Sequence, residues 1–239
     1  MNLVIDVGNT RLKAGIFQSG ELVEIWESSE KEEISSFLEK KKPVKTIICK
    51  VNNQFDDILE YICNDSDVYH LTPETQLPII NTYKSPKTLG MDRLAAVTGA
   101  FALYPEKNNL VVDLGTCITY DFITSEGKYL GGGISPGMKM RFNAMHKFTN
   151  ALPLVEIDTA PDLIGYDTQT CMKSGVFHGV RLELEGIIRE YREKFVQINV
   201  IFCGGDAKFF ESSIKATIFV NQHLTLQGLN KILEEEVKD

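Results

Sequence analysis

The chain has 239 residues, enough for one large or two small domains, each with its own core. Hydrophobic residues make up 43% and charged residues 24%, the mix of a globular protein rather than a membrane-spanning or disordered one. The formal charge is −8, from 25 Lys+Arg against 33 Asp+Glu, which disfavours general binding to nucleic acid or to an anionic membrane while leaving a local anion pocket open.

The first element is the buried strand "NLVIDV", followed by the turn "GNT". "RLKAGIF" is a second strand, and after a turn at Ser19-Gly20 a third covers 21–26, completing a β-meander. "EEISSFLEKK" sets Ile34, Phe37 and Leu38 at helical spacing, and "VKTIICK" is the next strand. "FDDILEYI" predicts a helix with Phe55, Ile58, Leu59 and Ile62 on one face. The segment 81–93, "NTYKSPKTLGMDR", is polar and turn-rich, and a helix runs from about Asp92 to Tyr104, where Pro105 stops it. A second meander follows in "NLVVDL", "CITYDFI" and "KYLGGGI". A helix is expected after Pro136 and a long one from Thr168 to Phe195. "INVIFCGG" is a last buried strand ending in a glycine pair, and a final helix covers roughly 224–237.

Cys49, Cys63, Cys117, Cys171 and Cys203 are odd in number, widely spaced and without a C-x-x-C pair. That pattern fits reduced thiols in a cytoplasmic protein, not disulfides or a zinc site. Asp6 interrupts the first apolar run too early for a signal peptide, and the most apolar stretch, 94–104, is too short to span a bilayer.

One phrase occurs twice. Leu3, Val4, Ile5, Asp6, Val7 and Gly8 align with Leu110, Val111, Val112, Asp113, Leu114 and Gly115, and each copy continues as a meander. This repeat predicts an α/β protein of two related domains, 1–106 and 107–239, each a mixed sheet with flanking helices, facing across a cleft. A strand ending in Asp-x-Gly sets a carboxylate at the mouth of the sheet, beside backbone N–H groups that the glycine leaves uncovered. Such a pair suits an anion and a hydrated Mg²⁺ bridging phosphate oxygens. A single Asp-x-Gly often does no more than end a hairpin strand. Two copies with a late "CGG" at 203–205 favour nucleotide binding.

The ordered motifs resemble the actin-like, sugar-kinase and heat-shock-chaperone ATPase superfamily, whose domains are ribonuclease H-like. Within it, they are similar to type III pantothenate kinases. "DVGNTRLK" (6–13) and "DLGTCITYD" (113–121) resemble the two phosphate motifs of that family, and "YKSPKTLGMDR" (83–93) its substrate segment. "GGGISPG" (131–137), "GYDT" (165–168), "SGVFHG" (174–179), "CGGDA" (203–207) and "LTLQGL" (224–229) follow in family order. Cys117 departs from the pattern, where the family more often has Ala.

The resemblance implies ATP-dependent phosphorylation of pantothenate, opening coenzyme A synthesis, by a cytoplasmic homodimer that binds neither nucleic acid nor membrane. ATP would come with Mg²⁺ and with a monovalent cation, K⁺ or NH₄⁺. Asp6 would orient the Mg²⁺, and the segment Val7, Gly8, Asn9, Thr10, Arg11, Leu12 and Lys13 would bind the nucleotide. Lys13 has the alternative of a surface strand lysine. Thr116 would touch phosphate, Asp113 the monovalent cation, and Gly204 and Gly205 the adenine or ribose. Asp92 would take the hydroxyl proton, with Tyr83, Gly90, Met91 and Arg93 lining the pantothenate site and Thr168 reaching substrate from a partner subunit. Asp92 and Thr168 each have the alternative of a helix N-cap. Two other readings stay open: a kinase of another small hydroxylated substrate on the same fold, and a nucleotide-binding regulator without turnover.

Overall fold

A computed structural model describes residues 1–8, 11–41, 43–53, 55–56, 59 and 66–236. Contacts group the chain into two compact units. The first comprises 1–106, 123–130 and 223–239, and the second 107–122 and 131–222. Beside the division expected at 106/107, two segments from later in the chain group with the first unit.

The first unit is built on strands β1 (Asn2–Val7), β2 (Leu12–Gln18), β3 (Glu21–Ser28), β4 (Lys45–Lys50) and β5 (Asp67–His70), in the order β3-β2-β1-β4-β5. β1 pairs antiparallel with β2 and parallel with β4, and β4 pairs parallel with β5. This mixed arrangement buries β1 on both faces, so its sequence reads as a continuous apolar run interrupted only by Asp6. Leu3, Ile5 and Val7 face a core with Ile34 and Leu38 of helix α1 (Lys31–Glu39). Phe37 of α1 stacks on Trp26 of β3 at 4.9 Å, so the helical spacing read from 34–38 is the packed face. The helix expected over 55–62 falls largely outside the described residues.

The opposite side of this sheet is covered by α2 (Met91–Leu103) and α6 (Leu224–Glu236), which pack along each other. Their close approach depends on two glycines: a Cβ on Gly228 would overlap the Ala95 carbonyl, and one on Gly99 would overlap the Leu224 carbonyl. Asn2 Nδ2 donates to Asn230 Oδ1 at 3.0 Å, tying the first strand to the last helix. This packing explains why 223–239 groups with the first unit.

The second unit repeats the scheme. Its strands are β7 (Asn108–Leu114), β8 (Cys117–Ile123), β9 (Lys128–Pro136), β10 (Ile198–Cys203) and β11 (Phe219–Val220), in the order β11-β10-β7-β8-β9. β10 pairs parallel with both β7 and β11. The first three residues of β9 belong to the first unit, where Lys128 and Tyr129 pair with β6 (Ile80–Asn81). Helices α3 (Met138–Phe148), α4 (Thr168–Lys194) and α5 (Ala207–Glu211) flank the sheet. α4 buries Met172, Val176, Phe177, Val180, Leu184 and Ile188 at helical spacing. The strand predicted for "KYLGGGI" extends to Pro136, while β5, β6, β11 and α5 carried no sequence signal strong enough to be read. No disulfide joins the described cysteines Cys49, Cys117, Cys171 and Cys203. Among the described residues no helix is long and apolar enough to cross a membrane.

Candidate active site

In the first unit Asp6 lies next to last in β1, opposite Lys13 on β2 and Cys49 on β4. Paired residues project to the same face of a sheet, so Asp6, Lys13 and Cys49 share the face covered by α2 and α6. The Cys49 thiol is buried, and its pKa is pushed well above the ordinary value. Burial is the largest cause, followed by the negative charges of Asp6 and Asp92. One buried thiol thus feels the charge of both carboxylates, with Asp6 paired directly opposite it across the sheet. Sequence reading missed Cys49, because nothing in "VKTIICK" marks it; only the parallel register does.

Asp92 reaches this face from the first turn of α2. The N-cap of α2 is Gly90, two residues earlier, and no side chain caps it. The cap alternative for Asp92 is therefore corrected: the helix begins before it. Its Oδ1 accepts from the Arg93 N–H at 2.9 Å, which fixes the carboxylate's orientation. A Cβ on Gly90 would overlap this oxygen, so glycine there leaves the carboxylate its position. Met91 is buried, and the buried Arg93 guanidinium lies over the Tyr83 ring at 5.7 Å. Tyr83, Gly90, Met91, Asp92 and Arg93 thus form one continuous feature around the start of α2.

Gly8 N–H donates to the Arg11 carbonyl at 3.0 Å, and Asn52 Nδ2 donates to the Gly8 carbonyl at 3.0 Å. Val7 and Leu12 are buried, so any ligand contact from them is made by backbone. Arg11 pairs with Glu27 at 3.1 Å on the surface. Asn9 and Thr10 lie outside the described residues.

In the second unit Asp113 is next to last in β7, opposite Cys203 of β10. Gly204 follows with φ of +85°, a conformation that favours glycine, and an added Cβ would overlap Asp113 Oδ1. Gly205 has open space around its Cα. The Asp206 N–H donates to the Leu114 carbonyl at 2.9 Å. Burial raises the Asp206 carboxyl above its usual range, with the Lys139 ammonium opposing the shift. The Gly137 N–H donates to the Thr116 carbonyl at 3.1 Å, and a Cβ there would run into the Gly115 and Thr116 carbonyls. The Gly115–Thr116 turn is therefore bordered by backbone from 137 and 204, with the Asp113 carboxylate beside it.

These donor sets suit hard cations and phosphate oxygens: carboxylates at the strand ends, and glycine-bordered backbone at the turns. Among the described residues no cluster of three or more His, Cys, Asp or Glu could hold a metal ion by itself.

Farther along the second unit, Thr168 opens α4, but its N-cap is Asp167. Asp167 Oδ1 accepts from the Thr170 N–H at 2.7 Å, and Thr170 Oγ1 accepts in return from the Asp167 N–H at 3.0 Å. The cap alternative for Thr168 is thereby corrected too, since its neighbour performs that role. Thr168 lines a cavity of about 640 Å³ with Arg141, Met145, Leu152, Cys171 and Met172. Arg141 is fixed in the cavity wall: Nε donates to the Pro136 carbonyl at 2.8 Å, and Nη2 donates to Ser135 Oγ and to Glu183. The Tyr120 hydroxyl donates to Glu183 at 2.8 Å. Burial, then Glu183, raises the Tyr120 phenol far above its usual range. Burial also acts to raise Glu183, but hydrogen bonds, led by that from Arg141, hold it below the ordinary carboxylate value.

Comparison with known proteins supplies the last observation. A family model described as type III pantothenate kinase matches residues 2–190. A type III pantothenate kinase of Cytophaga hutchinsonii is 44% identical over 238 residues, covering 99% of this chain and 100% of that one. Among solved structures, a candidate Baf-family transcriptional activator from Campylobacter jejuni superposes with a TM-score of 0.65 at 24% identity, over 99% of this chain and 100% of the other. A candidate 2-dehydro-3-deoxygalactonokinase from Sinorhizobium meliloti gives 0.63 at 13% identity, covering 99% of both.

Proposed function

The chain belongs to the type III pantothenate kinase family, so its reaction is the ATP-dependent phosphorylation of pantothenate to 4′-phosphopantothenate in coenzyme A synthesis, and we propose that Asp92 takes the proton from the substrate hydroxyl. The observation that carries this assignment is the Asp92 carboxylate in the first turn of α2, oriented by the Arg93 N–H and given room by Gly90, with Asp6 on the sheet face that α2 covers. A kinase acting on an alcohol needs a carboxylate to orient the hydroxyl and accept its proton, and a second near the transferring phosphoryl group.

Mg²⁺, bound with ATP, supplies neutralisation of the charge that develops on the phosphoryl oxygens. Asp6 holds the metal at the phosphates, and Lys13, opposite it on β2, adds a positive charge on the same face. The backbone of Val7, Gly8, Arg11 and Leu12, with Asn9 and Thr10, completes the first phosphate turn. Thr116 contacts phosphate from the second turn, where Asp113 carries the monovalent cation, K⁺ or NH₄⁺. Gly204 and Gly205 let backbone approach the adenine or ribose. Tyr83, Met91 and Arg93 line the pantothenate, and the Arg93 guanidinium suits the substrate carboxylate.

The proposal extends to a cytoplasmic homodimer in which Thr168 meets the substrate of a partner subunit. Supporting it, Leu163, Ile164 and Tyr166 just before α4 are 70–85% exposed. On α4 itself Leu182 is exposed, and Gly175, Gly179 and Gly186 leave room for close helix packing. The test is an ADP-release assay with and without pantothenate, in potassium and in sodium. ADP release that requires pantothenate and rises in potassium is expected. Release independent of pantothenate would overturn the assignment.

A further inference from the structure

Tyr83 is the one aromatic residue in the proposed pantothenate site, yet it sits on a turn-rich segment whose only local helix is a single 3₁₀ turn, Pro86–Thr88. What holds its ring comes from 46 residues later in the chain. Tyr129, at the start of β9, is fully buried, and its ring stacks on that of Tyr83 with centroids 6.1 Å apart and planes inclined by 13°. This is the offset-stacked geometry that aromatic pairs favour.

The backbone joins the same two places. The Ile80 N–H donates to the Gly127 carbonyl at 2.8 Å. The Tyr129 carbonyl accepts twice from Thr82, from the N–H at 3.1 Å and from Oγ1 at 2.6 Å. Tyr83 N–H then donates to Asn81 Oδ1 at 3.0 Å, directing the chain away from β6. Tyr129 is itself fixed by the preceding turn, in which Gly127 N–H donates to the Thr124 carbonyl at 2.9 Å and the Gly127 Cα lies against the Phe101 ring. Phe101 belongs to α2, the helix whose first turn carries Asp92 and Arg93. All of these residues lie within the first unit.

We infer that Tyr129 is a positioning residue for pantothenate: it fixes the Tyr83 ring in its bound orientation before the substrate arrives. The inference rests on the reading of Tyr83 as a pantothenate-lining residue. A half-buried tyrosine on a polar turn loses rotamer freedom when a ligand covers it, and a prepaid stack removes that cost from binding. The role therefore acts on pantothenate affinity, not on the phosphoryl transfer that Asp92 serves.

The test uses the full chain and measures KM for pantothenate and for ATP separately. Tyr129→Leu is expected to raise the pantothenate KM about two- to tenfold, the effect of one aromatic pair, with ATP KM and kcat within about twofold. Tyr129→Phe keeps the ring and should restore the pantothenate KM. Tyr83→Ala should raise the pantothenate KM in the parent chain and much less in the Tyr129→Leu background. Should Tyr129→Leu fold poorly, Thr82→Ala removes the Oγ1 half of the tether, leaving the backbone bond, and should raise the same KM alone. If Tyr83→Ala leaves the pantothenate KM unchanged, the reading of Tyr83 fails and the inference with it. If Tyr83→Ala raises it while Tyr129→Leu and Thr82→Ala do not, the inference alone is overturned. Equal rises for both substrates with a lowered Tm would reduce Tyr129 to a packing residue and overturn it as well.

Discussion

Asp6 and Asp113 each sit next to last in a strand, and each lies opposite a cysteine on its parallel neighbour, Cys49 on β4 and Cys203 on β10. The strand order around them is the same: β3-β2-β1-β4-β5 in one unit and β9-β8-β7-β10-β11 in the other. The two copies diverge immediately after those cysteines. In the first, an asparagine side chain, Asn52, holds the turn carbonyl of Gly8. In the second, Gly204 closes on Asp113 and the Asp206 amide holds the Leu114 carbonyl. The second hairpin is one residue shorter, closing from Gly115 N–H to the Cys117 carbonyl where the first closes from Gly8 to Arg11, so the position of Lys13 is taken by the uncharged Thr119. The first copy keeps a cation opposite its carboxylate and gains a second carboxylate, Asp92, through Cys49. The second keeps one carboxylate walled by backbone. The proposed roles follow this difference: proton and metal handling at the first turn, backbone coordination at the second.

The largest expected effect tests the carboxylate that only the first copy has. Asp92→Asn keeps the shape at the start of α2 while removing the proton acceptor, so kcat should fall roughly 10²–10⁴-fold. Stability should change by less than about 1 kcal/mol, because the N-cap is Gly90 and Asn keeps the side-chain oxygen that accepts from the Arg93 N–H. Steady-state kinetics paired with thermal unfolding checks both. A variant within a few-fold of the parent rate would require another proton acceptor.

The next prediction sets the repeated aspartates against each other. Asp6→Asn should lower turnover about 10²–10³-fold in any monovalent salt, as expected when a group stabilising transition-state charge is lost. Asp113→Ala should instead abolish the difference between potassium and sodium. Identical salt responses in the two variants would erase the contrast drawn between the turns.

A third prediction concerns the glycine pair. Gly204→Ala forces a side chain into a left-handed conformation against Asp113 and should destabilise the chain by about 1–3 kcal/mol. Gly205→Ala meets nothing within 4 Å and should stay within about 0.5 kcal/mol. Denaturant midpoints distinguish them, and equal losses would show that the wall around Asp113 is not what makes the second turn rigid.

The smallest effect lies at the Tyr120–Glu183–Arg141 brace. The Glu183 carboxyl is held below its ordinary value, so its ionised form stabilises the fold above the ordinary carboxylate pKa of about 4.3. That contribution is lost as pH falls through the depressed value. At neutral pH Glu183→Gln should melt about 2–4 °C below the parent, and the gap should close in acid. A gap that stays constant with pH would assign the loss to packing instead of charge.

Much of this arrangement was legible in the sequence, and the rest failed for physical reasons. The phrase shared by 3–8 and 110–115 announced the repeat because a strand buried on both faces has to be a continuous apolar run, in which an Asp stands out. Helix starts were legible only to within two residues. Gly90 and Asp167 take the cap positions that Asp92 and Thr168 offered equally well, and the choice depends on backbone geometry that composition does not encode. β5, β6 and β11 have two to four residues each and exist only through pairing with distant strands. Cys49 and Tyr129 gain their importance the same way, through a register and a stack that join separate parts of the chain, so no local pattern marks them.

The glycine-to-glycine crossing of α2 and α6 has a consequence for how the protein is made. The helix that carries Asp92 is synthesised by residue 103, but the helix it packs against, 224–236, emerges more than a hundred residues later. The first unit therefore waits, with the apolar side of α2 uncovered, through synthesis of the whole second unit, which can complete its own core in the meantime. Closure of α6 onto α2, through Gly228 against Ala95 and Asn230 against Asn2, is then the event that finishes the half-site around Asp6 and Asp92. A nascent chain that has not yet reached 224 would carry every proposed catalytic residue and still lack the helix packed on α2, which makes the emergence of 224–236 the gate between synthesis and activity.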